Sequence, residues 1–297
     1  MPDIPVWNKC DNKCVMCTNE PAFALQAASH YGLKSQIGKL ERWLKGLAPV
    51  YLKNAGRAEF VSLTGGEPTL HPDFFKLLAY FRRRLPGVPI TLLSNGRRFG
   101  NRAFAEKFSA AARPPFSLAV ALHGPTAGIH DGISGVRGSF AQTVRGFKNL
   151  LSLPGAPFLE IRLVLHKKNV AALDRTLRFL LKTFPNTSAY RVTAIHYEIE
   201  GMSLANHRKV ALKLSASAAK LGACLPLIGQ FRDFRLYHFP LCVLRKELRP
   251  LCWITLPPED RLYPAHKCGR CTARAKCLGL MAEYAKFFGD KELKALK

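Results

Sequence analysis

The sequence predicts an α/β fold, a partial (β/α)6 barrel followed by a small C-terminal module. Short apolar runs typical of buried strands alternate with longer stretches whose apolar residues recur at helical spacing, as in parallel α/β folds. Six such strand–helix units fit within roughly the first 220 residues, too few for a closed eight-unit barrel. Polar and glycine-rich motifs come directly after the strands, on the carboxyl-end face where barrel enzymes build their sites.

Each strand is predicted from an apolar run and each helix from its amphipathic period. The first strand leads into a cysteine-rich loop, the second ends at a Gly-Gly pair, and the third ends at a Ser-Asn-Gly turn. The predicted strands cover residues 4–7, 60–63, 90–93, 117–122, 159–165 and 190–195. The predicted helices cover residues 37–47, 74–81, 140–151 and 170–182, then one long helix through residue 221 and a closing helix within 278–297.

Length and composition favour one principal domain with an appendage. The chain has 297 residues, 48 % of them hydrophobic, and can bury a large core. We expect the principal domain to span residues 1–222 and the smaller module to span residues 223–297. No apolar run approaches membrane-spanning length and no secretory leader precedes the first cysteine, so we expect a cytoplasmic protein with no membrane partner. In that compartment the nine cysteines are better interpreted as metal ligands and buried thiols than as disulfides.

The formal net charge of +25 leaves two kinds of partner open. Lysines and arginines occur in short groups such as Arg82-Arg83-Arg84 rather than in one tail, so the sequence does not show whether they form a single patch. It contains no aromatic–basic RNA motif, helix-turn-helix or zinc-finger pattern. Nucleic acid therefore remains a candidate partner beside an acidic peptide or protein, and a solvated basic surface with no partner also fits.

The most informative motif is a run of three cysteines, Cys10, Cys14 and Cys17, in the pattern CxxxCxxC. We call these the loop cysteines. Three thiolates on one tight loop are enough to hold three corners of a 4Fe–4S cubane, leaving the fourth iron without a protein ligand. A structural zinc site would need a fourth Cys or His close by, and none follows on this loop. The spacing therefore favours a cluster with one open iron.

Together with Gly65-Gly66-Glu67-Pro68 after the second predicted strand, this loop resembles the radical S-adenosylmethionine (SAM) superfamily. The resemblance implies a TIM-like partial barrel that binds a 4Fe–4S cluster and SAM. It also implies reductive cleavage of SAM to a 5'-deoxyadenosyl radical, with a reductase as electron donor. In such enzymes the cofactor carries the difficult step and the protein binds and orients it.

The resemblance also implies a set of SAM-binding residues. Gly65, Gly66, Glu67 and Pro68 would receive the methionine amino group, since glycines permit close backbone approach and a carboxylate suits an ammonium. The resemblance also places Met16 near the adenine. Ser94 and Asn95, at the end of the third strand, could line the cofactor pocket. Arg162 on the fifth strand points either outward to a helix or inward to the SAM carboxylate, and we favour the inward role because a buried guanidinium needs an anionic partner.

Simple alternatives stand beside these roles. Met16 could pack within its loop, and Asn95-Gly96 could be an ordinary turn. Relatives often carry Ser-Leu-His at the end of the fourth strand, where this chain reads Ala121-Leu122-His123, which puts one ribose contact in doubt. We assign no catalytic residue from the sequence.

A second cysteine group lies in the C-terminal part of the chain. Cys268, Cys271 and Cys277 follow the pattern C-x2-C-x5-C, and with Cys242 upstream they supply four thiolates. We call these four the tail cysteines. They are enough for an iron–sulfur cluster or a zinc ion, and the bare spacing does not choose between them. The remaining two, Cys224 and Cys252, are interpreted as small buried residues.

On a radical SAM chain, the tail cysteines resemble the SPASM/twitch modules that carry auxiliary 4Fe–4S clusters in peptide-modifying members. The SPASM pattern continues with a further cysteine where this chain has Met281, so one auxiliary cluster is expected rather than two. A subgroup resemblance, to the radical SAM maturases of the His-Xaa-Ser peptide system, runs through residues 63–70, 93–97, 130–140, 160–162, 200–202 and 240–277. It implies a ribosomally made peptide or a protein as substrate, and RNA or a small metabolite is the alternative.

Overall fold

The computed structural model describes residues 3–47 and 60–297, a range that includes every predicted site residue. Its contacts divide the chain into two units, whose segments interleave along the sequence. The first unit contains Met1–Lys13, Asn19–Ala121 and Val136–Glu160, and the second contains Cys14–Thr18, Leu122–Gly135 and Ile161–Lys297. Each unit alternates parallel strands with helices.

The first unit holds four strands and the start of a fifth. The strands are β1 (Asp3–Trp7), β2 (Val61–Gly65), β3 (Ile90–Ser94), β4 (Phe116–Ala121) and the beginning of β5 (Phe158–Leu165). Its helices are α1 (Pro21–Leu25), α2 (Leu33–Leu44), α3 (Phe74–Arg84), α4 (Arg102–Ala111) and, later in the chain, α6 (Ser139–Leu151).

Within this unit β1 pairs with β2, β2 with β3, and β3 with β4, all in parallel. Register is regular except between Pro5 and Trp7, where β1 shifts just before it enters the cysteine loop. Parallel pairing places the carboxyl ends of these strands at one edge of the sheet. The cysteine loop and the turn Gly65-Gly66-Glu67-Pro68, which we call the glycine turn, begin at this edge.

Aromatic packing fixes helices α3 and α4 against each other. Phe74 of α3 stacks on Phe104 and Phe108 of α4, with ring centroids 6.1 and 6.2 Å apart, and Phe99 meets Phe108 edge to face at 4.9 Å. Aromatic pairs of this kind contribute roughly 0.5–1.5 kcal/mol each beyond the area they bury. Helix α4 was not predicted from the sequence, although its Asn101 cap, which accepts a hydrogen bond from the Phe104 amide at 3.0 Å, is a recognisable start signal.

The second unit continues the same alternation. Its strands are the rest of β5, β6 (Tyr190–His196), β7 (Phe234–Tyr237), β8 (Cys252–Trp253) and an antiparallel pair, β9 (Arg261–Leu262) and β10 (Leu280–Met281). Its helices are α5 (Ala127–Ser134), α7 (Leu173–Thr183), α8 (Gly201–Ala205), α9 (His207–Val210), α10 (Leu214–Ala223), α11 (Leu225–Ile228), α12 (Ala265–Cys268) and α13 (Ala282–Phe288).

The second unit differs from the sequence prediction in two respects. β7 pairs in parallel with β6, and β8 pairs in parallel with β7, so two strands follow the six that were predicted. The predicted long helix is wrong: it is divided into α8, α9 and α10. The amide of Leu212 donates to the Tyr197 hydroxyl at 3.3 Å and that of Leu214 to the Tyr284 hydroxyl at 2.8 Å, so tertiary partners replace helical ones there.

Within the described ranges, no helix combines the length and the apolar character that crossing a bilayer requires. Among the described residues, no disulfide bond is recorded.

Candidate functional site

The glycine turn after β2 is bound directly to the chain that leads into the cysteine loop. The Gly66 amide donates to the Trp7 carbonyl at 2.7 Å, and the Glu67 amide donates to the Lys9 carbonyl at 2.8 Å. A Cβ on Gly66 would lie 2.6 Å from the Lys9 carbonyl carbon and closer still to its oxygen. Gly65 adopts φ +135°, and its Cβ would overlap the Trp7 carbonyl. The two glycines are therefore required so that two backbone segments can meet.

The Glu67 carboxylate organises this turn. Its side chain is 1 % exposed, and Oε1 accepts from the Thr69 amide at 3.1 Å, the Thr69 hydroxyl at 2.6 Å and the Ser94 hydroxyl at 2.8 Å. Oε2 accepts from the Asn95 amide at 2.7 Å. Burial raises the pKa of Glu67, and the hydrogen bonds from Thr69, Asn95 and Ser94 oppose that rise. Glu67 thus holds together two predicted site residues, Ser94 and Asn95, from the next strand.

Asn95 and Arg97 extend this network to the start of the cysteine loop. The Asn95 side-chain nitrogen Nδ2 donates to Asp11 Oδ1 at 2.6 Å and lies 4.0 Å from the Cys10 sulfur. Arg97 donates to the Asp11 carbonyl at 2.6 Å and forms an ion pair with the Asp11 carboxylate at 3.0 Å. The amide of Asn12 approaches the Cys10 sulfur at 3.4 Å. Polar groups at the carboxyl end of β3 therefore fix the chain around the first loop cysteine.

The segment with Cys14 and Cys17 belongs to the second unit and is fixed by two helices. The Val15 amide donates to the Ile133 carbonyl of α5 at 3.0 Å, and the Asn206 side chain donates to the Val15 carbonyl at 3.1 Å. The amide of Ser203 in α8 donates to the Cys17 carbonyl at 3.1 Å. This segment has no regular secondary structure of its own, so these contacts set its conformation.

Two other predicted SAM-binding residues lie in the second unit. The Met16 side chain is buried. Arg162, on β5, is partly buried, and its guanidinium lies 6.0 Å from the centroid of the Tyr237 ring, at the limit of a cation–π contact. Its carbonyl accepts the Leu122 amide at 2.9 Å. Their contacts with SAM stay predictions.

A buried group of histidines follows β4 and β5. His123 Nε2 lies 3.9 Å from the Cys14 sulfur, and the His123 amide donates to His130 Nδ1 at 3.2 Å. Burial lowers the pKa of His123 well below its usual value, and lowers those of His130 and His166 to about 4. None of these histidines was predicted as a site residue from the sequence, because the contact with Cys14 joins positions far apart in the chain.

A second polar pair lies at the carboxyl ends of β6 and β7. His238 has φ +68°, a left-handed conformation that is costly for a residue with a side chain. Its Nδ1 lies 3.1 Å from the His196 carbonyl, and its Nε2 lies 3.5 Å from a carboxylate oxygen of Glu198. This pair was not predicted from the sequence, where its one signal is that Glu198 follows a predicted strand closely.

The tail cysteines line one pocket in the second unit, with Leu241, Tyr263, Arg274 and Leu296 among its other walls. Three backbone amides donate to these sulfurs. The amides of Leu241 and Gly279 lie 3.3 Å from the Cys277 sulfur, and the amide of Leu296 lies 3.4 Å from the Cys271 sulfur. Burial, with smaller contributions from neighbouring thiols, raises the pKa values of Cys242 and Cys268.

In the part of the chain that the structure describes, no three Cys, His, Asp or Glu side chains are close enough to bind one metal ion. A shared pocket and amide groups directed at sulfur nevertheless match what a thiolate-held group needs. The support for a metal site here is therefore that four thiols share one pocket, and not that their sulfurs already lie at metal-binding distances. Cys252 lies outside the pocket lining and is only partly buried, not fully buried as predicted. Burial, with a smaller contribution from Cys277, raises the pKa of its thiol to about 12.

Comparisons with known proteins agree with the motifs. The family profile described as the Radical SAM superfamily matches residues 4–180. The mycofactocin maturase MftC of Mycobacterium ulcerans is 35 % identical over 115 residues, which cover 39 % of this chain and 29 % of that protein. The AdoMet-dependent heme synthase of Methanosarcina barkeri is 31 % identical over 114 residues, covering 38 % of this chain and 31 % of the synthase.

Among solved structures, the crystal structure of Streptococcus suis SuiB bound to the precursor peptide SuiA superposes with a TM-score of 0.58 at 16 % identity. The match covers 79 % of this chain and 48 % of SuiB. This likeness confirms the predicted barrel-type α/β fold. The chain spans about a third of the curated relatives and half of SuiB.

Proposed function

The chain belongs to the radical SAM superfamily, and on that premise we propose that it cleaves SAM reductively and uses the resulting 5'-deoxyadenosyl radical to modify a ribosomally made peptide. One observation carries the proposal: backbone hydrogen bonds tie the Gly65-Gly66-Glu67 turn to residues Trp7 and Lys9, immediately before the first loop cysteine. The turn expected to bind SAM is thus built onto the strand that leads into the expected cluster loop.

The residues present fit both groups that this chemistry needs. Three thiols on one loop match a 4Fe–4S cluster with an open iron, and Cys10, Cys14 and Cys17 would hold it. When bound, the cluster and SAM supply the electron and the radical. Among the described residues, Glu67 Oε1 accepts three hydrogen bonds, whereas Oε2 accepts one, from the Asn95 backbone amide. Oε2 therefore keeps acceptor capacity for the SAM ammonium.

For the remaining predicted SAM contacts, we propose the division of roles that the resemblance implies. Pro68, Ser94 and Asn95 would shape the pocket around the methionine end, while Met16 packs near the adenine. Arg162 would pair with the SAM carboxylate, since a guanidinium suits a planar carboxylate. Each role is a separate proposal that a single substitution can test.

A peptide substrate is supported by the names of two similar proteins. MftC is called a maturase, and SuiB was crystallised with a precursor peptide. The net charge of +25 suits an acidic peptide, but it also favours RNA as a second candidate substrate. A reductase would deliver the electron. We propose a cytoplasmic location and the division into residues 1–222 and 223–297 on the sequence arguments above.

We further propose that the tail cysteines bind one auxiliary 4Fe–4S cluster. Support comes from the shared pocket and from the amides of Leu241, Gly279 and Leu296, because hydrogen bonds to sulfur stabilise cluster-bound thiolates. Zinc is the alternative, since it also accepts four thiolates.

The substrate is tested with peptides encoded by neighbouring genes. Anaerobically reconstituted protein is incubated with each peptide, SAM and a reductant, and the peptide mass is followed. A mass change that requires SAM and the loop cysteines supports the proposal. RNA from the same cells serves as the second arm, and modified nucleosides without any change in peptide mass would favour the RNA alternative.

A further inference from the structure

His123 lies in the second unit immediately after β4, beside one of the loop cysteines. Its side chain is 3 % exposed, and Nε2 is 3.9 Å from the Cys14 sulfur. This distance is within reach of a long N–H···S hydrogen bond. Neither the cluster motif nor the glycine turn includes this histidine.

The backbone around His123 is fixed on both sides. Its amide donates to His130 Nδ1 at 3.2 Å, and its carbonyl accepts from the Asn169 side chain at 3.3 Å. The same Asn169 amide also donates to the Val164 carbonyl at the end of β5, at 2.8 Å. The Cys14 segment is itself held to α5 through Val15. Donor and sulfur are therefore both anchored, and their approach does not depend on one flexible side chain.

The position of the imidazole proton follows from the surroundings of the two ring nitrogens. Nδ1 is buried and has no hydrogen-bond partner among the residues that the structure describes. A proton on Nδ1 would leave a buried donor unsatisfied, at a cost of about 1–3 kcal/mol. A proton on Nε2 points to the Cys14 sulfur and leaves only an acceptor unpaired. The tautomer with the proton on Nε2 is therefore favoured.

We propose that His123 is a positioning residue that donates an N–H···S hydrogen bond to the Cys14 thiolate and raises the reduction potential of the loop cluster. The proposal rests on the proposed function, because it requires that Cys14 hold a cluster. A hydrogen bond to a cluster thiolate stabilises the reduced state more than the oxidised state, since reduction adds negative charge to the sulfurs.

The test measures the potential of the loop cluster in four proteins by redox titration under EPR, without SAM. These are wild type, His123→Leu, His123→Gln and His166→Leu. Leu removes the donor, whereas the Gln amide reaches about as far as Nε2 and can still donate. His166 is the matched control, because it is an equally buried histidine of the same group for which no sulfur contact is recorded. The loop cluster is identified as the one whose signal changes when SAM is added.

We expect His123→Leu to lower the ratio of reduced to oxidised cluster at a fixed potential by about tenfold, which is 59 mV for one electron. His123→Gln should recover most of this ratio and His166→Leu should match wild type. Iron-loaded His123→Leu with the wild-type potential would overturn the inference while leaving the proposed function intact. Wild type that binds no iron at the loop would overturn both.

A second measurement covers the case in which His123→Leu does not fold. Wild type labelled with 15N-histidine and reduced is compared with labelled His123→Gln by pulsed EPR. A 15N coupling to the loop cluster that is lost in His123→Gln supports the hydrogen bond. A coupling that is absent in wild type, or unchanged in His123→Gln, contradicts it.

Discussion

Gly66→Ala is the substitution whose effect follows most directly from the geometry of the glycine turn. The added Cβ would lie 2.6 Å from the Lys9 carbonyl carbon and closer still to the carbonyl oxygen. These two neighbours are backbone atoms, so no side chain can turn away to make room. The two segments must separate by several tenths of an ångström or more. That movement weakens the bonds from the amides of Gly66 and Glu67, now 2.7 and 2.8 Å long.

The size of the effect can be worked from these contacts. Two weakened hydrogen bonds cost about 0.5–1.5 kcal/mol each, and backbone overpacking adds roughly 1–3 kcal/mol. We expect Gly66→Ala to lower the free energy of unfolding by roughly 2–6 kcal/mol. Because the displaced segment leads into the loop cysteines, the loop cluster should also be lost or reduced in occupancy.

The assay is anaerobic urea unfolding, followed by circular dichroism, together with iron analysis of reconstituted protein. Gly38→Ala is the matched control, since Gly38 is exposed in helix α2 and its Cβ would meet nothing within 4 Å. That variant should be more stable by about 0.5–1 kcal/mol, because alanine is the better helix former. A Gly66→Ala protein with wild-type stability and full iron would refute the steric reasoning.

Three further predictions concern single features. Glu67→Gln should lower unfolding stability by about 1–3 kcal/mol and weaken SAM binding in calorimetry, because one of its carboxylate oxygens becomes an NH2 group facing donors such as the Asn95 amide; unchanged stability and affinity would contradict this. Since the pKa of His166 is lowered to about 4, its contribution to unfolding stability should fall by roughly 3 kcal/mol as the pH drops from about 6.5 to 4, and His166→Leu should reduce the slope of stability against pH by that amount; an unchanged slope would argue against a neutral buried His166. Reconstituted wild type should hold about eight irons and the loop-cysteine triple Ala variant about four. The control variant Cys224→Ala should match wild type. Stoichiometric zinc without residual iron in the triple variant would show that the tail cysteines bind zinc.

Much of the first unit could be predicted because its signals are local. A strand followed at once by a cysteine loop, a Gly-Gly turn or Ser94-Asn95 is legible from neighbouring residues alone. The structure brings Glu67, Ser94 and Asn95 together, while their contacts with SAM stay predictions. It also shows what the sequence did not: the Glu67 carboxylate is occupied by donors of its own chain, and the glycines accommodate backbone rather than leaving open space.

The second unit was less predictable because its structure depends on distant partners. Strand β8 has two residues and β7 four, too few to show a periodic pattern. The predicted long helix ends early because the hydroxyls of Tyr197 and Tyr284 take amides that a helix would use. The approach of His123 to Cys14 likewise joins residues 109 positions apart, and no local pattern encodes it.

The most direct test of radical SAM chemistry is the formation of 5'-deoxyadenosine from SAM under strict anaerobic conditions with a strong reductant. Wild type and the Cys10, Cys14 and Cys17 triple Ala variant are reconstituted and assayed side by side, with a reaction lacking protein as blank. We predict SAM-dependent 5'-deoxyadenosine with wild type and none above the blank with the variant, because only the loop cysteines leave an iron open to SAM. Equal amounts from the two proteins, or none from iron-loaded wild type, would contradict the central claim.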